Sequence, residues 1–341
     1  MSNPADNMIA DLARRKFIVF AGAGIPHESK PPITWKQLLE EFKKGEPELA
    51  AREIDKVSED EYPDYAQEIF DALRGMGRES RYYEILGKVL EGTHSLYSGE
   101  QRDIIDTAKH VVTTNFDDSF ERGIERELEG KETNTFTVQD LPDFRIKALY
   151  DNYSVSYLHG RTSKECIVFK KEDYETFYPS KKGNELGNDS LEHFLRYLYE
   201  EQTIVFVGVS FNDKYLLNVL NRIYIRVKQN DEVGREQKVS YKSKLDNIQH
   251  YTFMPQDMGI KATEKYWEKG RIISEQQIEK DRNNKRELLE ELKIKVVTYH
   301  KHVEWTGWFK NIRELCRKYK KEKQDVFSII EEPSNVGIKD F

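Results

Sequence analysis

Five short runs rich in Val, Ile, Phe and Tyr constrain this chain more than any other feature: "KFIVFAGAG" (16–24), "HVVTTNF" (110–116), "SVSYLHG" (154–160), "TIVFVGVSF" (203–211) and "IKVVTYH" (294–300). None alternates cleanly between apolar and polar residues, so each suits a strand buried on both faces. Helical periodicity fills the intervals. "WKQLLEEFKK" sets Trp35, Leu38, Leu39 and Phe42 on one stripe, and "DSLEHFLRYLYEE" does the same with Leu191, Phe194, Leu195 and Leu198. Strands alternating with helices predict an α/β fold, a Rossmann-like doubly wound parallel sheet.

From Ser58 to Thr107 nothing reads as a strand, and "DYAQEIFDALRG" and "YYEILGKVLEG" read as helices ending at Gly75 and Gly92. A helical insertion, about 37–107, is therefore expected between the first two strands. "TFTVQDL" and "CIVFKKEDYETFY" are expected to add a short edge strand or a hairpin, Lys228 to Lys244 an exposed loop, and "NIRELCRKYKKEKQ" a basic helix. The reading is a single domain over 1–325 followed by a C-terminal tail over 326–341.

Composition removes several function classes. Acidic residues outnumber basic ones, 61 to 54, which weighs against non-specific nucleic-acid binding, and no sequence-specific binding is expected. The only two cysteines, Cys166 and Cys316, exclude a disulfide framework and a four-cysteine zinc module; no metal is expected. No run approaches the ~18 apolar residues of a membrane span. Asp6 and Asp11 interrupt the start, which is no signal peptide, so a cytoplasmic protein is expected.

The first four apolar runs all stop on small or polar residues: Gly22-Ala23-Gly24, then Asn115 and Asp117, then His159-Gly160, then Gly208, Ser210, Asn212 and Asp213. Ligands of doubly wound sheets bind outside the carboxyl ends of the strands, so these groups are expected around one crevice. "AGAG" lets a backbone approach a pyrophosphate, or simply makes a tight turn; it lacks the third glycine of the full dinucleotide fingerprint. Asn115 and Asp117 can hold a ribose or order a water, or an aspartate here can cap the helix "SFERGIERELEG". His159 is either a general base or a structural histidine. "GVSFND" is a turn with a cap at Asn212 or Asp213, or a source of hydroxyl and amide groups for a phosphate or ribose.

"FAGAG", "TTNFD", "YLHG" and "FVGVSFND", in that order from about Lys16 to about Trp308, resemble the bacterial sirtuin-like NAD hydrolase domains of antiphage defence systems, of the Thoeris or translocase-associated kind. The resemblance implies NAD as substrate and a catalytic pair of Asn115 and His159, with Asp117 beside the ribose. It implies that Gly22, Ala23 and Gly24 contact the phosphates and that Ser210 lies near the adenosine half. Ala21, Thr114, Gly208 and Asp213 complete the implied cofactor-binding set. Sirtuin deacylases carry a four-cysteine module and follow the glycine turn with a serine and a Phe-Arg pair; here the run is "GAGIPHESKPPITW". Both departures favour NAD hydrolysis to nicotinamide and ADP-ribose over deacylation, and the changed "IPHES" loop bears on the nicotinamide pocket. A catalytically weak NAD- or ADP-ribose-binding regulatory subunit is the alternative. The resemblance further implies a gated assembly: a homo-oligomer, or a partner such as a ring-forming, hexameric DNA-translocase ATPase or a short Argonaute. The basic helix from Arg313 to Lys323 and the tail are candidate contact segments, or simply a solvated end.

Overall fold

A computed structural model describes residues 4–14, 17–25, 35–46, 54, 57–91, 99–127, 133–138, 153–161, 166–178, 189–237, 243, 245–255, 267–268, 271–272, 275–299, 307–314 and 317–318. The "IPHES" loop beyond Ile25 and the tail lie outside these residues.

Helix α1 (Pro4–Arg14) leads into β1 (Phe17–Ala21). Helices α2 (Trp35–Gly45), α3 (Tyr62–Gly75), α4 (Glu79–Glu91) and α5 (Gly99–Ala108) precede β2 (His110–Thr113). Then come α6 (Ser119–Glu127), β3 (Thr133–Thr137), β4 (Tyr153–Tyr157) and an antiparallel two-residue ribbon of β5 (Gly160–Arg161) and β6 (Cys166–Ile167). Next are α7 (Lys171–Phe177), α8 (Asp189–Glu201), β7 (Thr203–Val207) and α9 (Lys214–Gln237). The chain continues through β8 (His250–Pro255), a ribbon of β9 (Trp267–Glu268) and β10 (Arg271–Ile272), α10 (Glu275–Glu291) and β11 (Ile294–Tyr299). Residues 307–314 are helical.

Seven strands form one parallel sheet in the order β11-β8-β7-β1-β2-β4-β3. It is the expected Rossmann-like α/β fold. The chain builds outward from β1 to one side, then returns to place β7 on the other side, so the strand order reverses at the β1–β7 pair. Both faces are covered, which explains the missing alternation. Ile18 and Phe20 of β1 point into a core with α8, α9 and α10, whereas Phe17, Val19 and Ala21 point into one with α1, α5 and α6. A third cluster joins α2, α3 and α4 to Phe116 and Phe169, so the helices between β1 and β2 pack against the residue that follows Asn115.

Several elements depart from the sequence reading. Most of the expected loop 228–244 is helix, because α9 runs on to Gln237. Its buried stripe carries Ile223, Val227 and then Asp231, a carboxylate held by Arg235 at 2.9 Å and Ser243 at 2.8 Å; the polar residue hides the helical period. "CIVFKKEDYETFY" gives a two-residue strand and then α7, whose first turn is closed by Asp173 accepting from the Lys170 amide at 2.9 Å. "TFTVQDL" does supply the edge strand β3. β8 and α10 were not anticipated. In the described part of the basic C-terminal helix, Phe309 and Ile312 are fully buried and Arg313 reaches Asp106 at 2.8 Å. Arg317 and Lys318 are exposed, and residues 315–316 and 319–341 lie outside the described ones.

Candidate active site

Parallel register puts chemically different residues at one level. Ala21 stands opposite Thr113 and Val207, and Thr113 stands opposite Tyr157. Two residues further along each strand direction come Ala23, Asn115, His159 and Val209. Asn115 and His159 therefore leave neighbouring strands at the same height, at the carboxyl edge beside the place where the strand order reverses.

The turn after β1 interlocks with the turn after β7. The Gly22 amide donates to the Val207 carbonyl and the Gly24 amide to the Gly208 carbonyl, both at 2.9 Å. A Cβ on Gly22 would stand 2.4 Å from the Gly208 oxygen. These contacts give the glycines a physical reason that needs no ligand. Ala21 and Gly22 are buried, while Ala23 and Gly24 are exposed at the edge.

At the end of β2, the Thr113 hydroxyl donates to the Ala21 carbonyl at 2.9 Å and accepts the Asn115 amide at 3.0 Å. This fixes Asn115 as it leaves the sheet. Its Nδ2 reaches the Gly22 carbonyl at 3.4 Å, and its Oδ1 is buried without a hydrogen-bond partner among the described residues. Thr114 is half-buried, its amide donating to Ala21 at 3.3 Å. Asp117 Oδ1 accepts the Ser119 amide at 3.1 Å, so it works at the start of α6. Asp118 pairs with Arg122 at 2.8 Å.

His159 is 2% exposed. Its Nδ1 has no hydrogen-bond partner among the described residues, while its Nε2 lies 3.3 Å from Asp213 Oδ2 and 3.5 Å from the Tyr174 hydroxyl. Phe116, Tyr174 and Tyr178 wall the ring at centroid distances of 6.1, 5.3 and 5.9 Å. Burial, with the Asp213 carboxylate adding to it, pushes both phenols well above their ordinary range, so they remain protonated. Asp213 Oδ1 accepts the Tyr215 and Leu216 amides at 2.8 and 3.1 Å, capping α9. Ser210 is exposed on the same loop; its hydroxyl accepts the Asn212 amide at 3.3 Å and its carbonyl accepts Lys285 at 2.9 Å.

The structure thus gathers Asn115, His159 and Asp213, with the interlocked glycine turns beside them. It places Asp117 at a helix start. The sequence reading missed Tyr174 and Tyr178. Their i, i+4 spacing is a helical signal in a stretch taken for strand or hairpin. It also missed that Asp213 faces the histidine, which no local pattern carries. Among the described residues no group of three or more His, Cys, Asp or Glu stands ready for a metal ion, and no helix is long and apolar enough to cross a membrane.

No curated protein matches the chain. A family model does, the SIR2-like domain, over residues 109–274. The matched stretch contains Asn115, His159 and Asp213 and leaves the glycine turn outside. SIR2-like domains bind NAD and their family includes NAD-dependent enzymes, and residues 109–274 of this chain are similar to such a sirtuin-like domain.

Proposed function

We propose that the protein is an NAD glycohydrolase that cleaves the nicotinamide–ribose bond to give nicotinamide and ADP-ribose. One observation carries the reading. Asn115 Oδ1 and His159 Nδ1 are buried polar atoms without partners among the described residues, on residues leaving adjacent strands at one level of the carboxyl edge. Orphaned polar atoms cost about 1–3 kcal/mol each in a finished core, so a pair of them at a sheet edge fits a site that a substrate completes.

The bond to a cationic pyridinium needs little from the protein at its leaving group, which departs neutral, and its cleavage has oxocarbenium character at the ribose carbon. His159 Nδ1 accepts the proton of the attacking water or of a ribose hydroxyl. When the reactant is water, Asn115 Oδ1 accepts its second hydrogen and holds it in place. The ring wall of Phe116, Tyr174 and Tyr178 keeps bulk water from the histidine. The glycine turns and Ser210 stand at the same edge, and the resemblance assigns them the phosphates and the adenosine half. Depletion of NAD in an infected cell, gated by self-assembly or by a partner protein, is the biological role consistent with the defence-type motifs.

The test is release of nicotinamide from NAD by the full chain. His159→Ala and Asn115→Ala are expected each to lower the rate by about 10²–10⁴-fold. Unchanged turnover in both removes the assignment. Wild-type protein that binds NAD and leaves it whole supports the regulatory-subunit reading instead.

A further inference from the structure

We infer that Asp213 is the positioning residue of His159: its carboxylate holds the imidazole proton on Nε2 and so reserves the Nδ1 lone pair for the reacting proton. The inference rests on the proposed hydrolase reading and deepens it, moving Asp213 from the cofactor-binding set to the support of the histidine.

The geometry divides the two carboxylate oxygens. Oδ1 is committed to the start of α9, accepting two amides at 2.8 and 3.1 Å. That double anchor fixes the carboxylate plane, because rotating it would uncap a 24-residue helix. Oδ2 is then left pointing inward, 3.3 Å from His159 Nε2, with no hydrogen-bond partner among the described residues. A buried carboxylate oxygen accepts only, so the stable arrangement sets a proton on Nε2 facing it. The proton cannot also sit on Nδ1 of a neutral ring, and Nδ1 faces no partner among the described residues. The Tyr174 hydroxyl, 3.5 Å from Nε2, is the one competing group among the described residues. It is the longer contact, and donation from it would leave the Asp213 oxygen facing a lone pair. When His159 takes a proton at Nδ1 during turnover, the carboxylate also stabilises the imidazolium that forms.

Two measurements test this, one of them independent of activity. In the full chain with ¹⁵N-labelled histidine, assigned through His159→Gln, the His159 signals are expected to show the Nε2–H form. Signals of the Nδ1–H form overturn the inference, because they mean that Tyr174 donates to Nε2. The second measurement uses Asp213→Asn. Asparagine caps a helix about as well as aspartate, so the thermal midpoint should hold. Its amide group, however, donates to Nε2 and drives the proton to Nδ1. Nicotinamide release at saturating NAD is expected to fall roughly 10²–10⁴-fold with KM within a few-fold, accompanied by a switch of the ¹⁵N pattern. Asp213→Ser, which keeps a cap and removes the contact, should lose less. Equal kcat in wild type and Asp213→Asn, with both folded, overturns the inference. A wild-type chain that leaves NAD intact while showing the Nε2–H form sinks the hydrolase reading and spares the tautomer assignment.

Discussion

Gly22 and Gly208 sit where two loops touch backbone to backbone. A methyl on Gly22 would press on the Gly208 carbonyl at 2.4 Å. Gly208 has φ +66°, and a methyl there would stand 2.6 Å from the Ile25 nitrogen. Neither neighbour is the yielding end of a side chain, so the loops themselves must part. Gly208→Ala combines left-handed strain with overpacking and is expected to cost roughly 2–4 kcal/mol, read as a lower urea midpoint. Gly77→Ala is the control: φ is +70° but the space is open, so only about 1–2 kcal/mol is expected. Equal losses in the two would mean that the loop contact adds nothing. The pattern "AGAG" announces a turn. That the turn is built around Gly208, far along the chain, is not written in it. Phe116 is similar: it reads as one more aromatic after a strand, and its neighbours in the α2–α4 cluster come from a remote stretch.

Elements dock through a few buried charges as well as through apolar stripes. Glu192 of α8 is 1% exposed and faces Arg222 at 2.6 Å and Arg226 at 2.7 Å, both on α9. Removing the carboxylate leaves two cations against a buried surface. Because both arginines are partly exposed, Glu192→Ala is expected to cost about 1–3 kcal/mol, below the range for a wholly buried pair. Arg226→Ala should stay within about 1 kcal/mol, since Arg222 remains; denaturant titration separates the two outcomes. Such polar residues on buried faces are also why parts of the fold were hard to read. Asp231 broke the stripe of α9, and β8 opens on His250, a fully buried histidine that looks like a surface residue in the linear text. The strands legible at once, β1, β2, β4, β7 and β11, are those dense in Val, Ile, Phe and Tyr.

For the molecule as a whole, one buried and one half-buried histidine predict weakness in acid. His250 Nδ1 accepts the Ile204 amide at 3.1 Å, and burial lowers its pKa to about 3. Burial, then the nearby Lys109 charge, lowers that of His110 to about 4. An unfolded histidine titrates near 6.5, so between that value and the folded one the unfolded chain binds the extra proton. Stability is therefore full above pH 6.5 and is lost as pH falls toward 3; the His250 share is about 3 kcal/mol by pH 4 at roughly 1.4 kcal/mol per unit. The urea midpoint should fall between pH 7 and pH 4, and His250→Asn should flatten that slope; parallel slopes would remove the role. The linear order of residues determined the class of fold and the candidate polar groups, because strands buried on both faces need continuous apolar runs and such strands must end in something a ligand or a turn can use. Only the tertiary structure decided which ends meet. Register across β1, β2, β4 and β7 set Asn115 level with His159, and the loop after β7 brought the carboxylate of Asp213 to the ring. Those distances follow from hydrogen bonds between strands far apart in the chain, which no local pattern records.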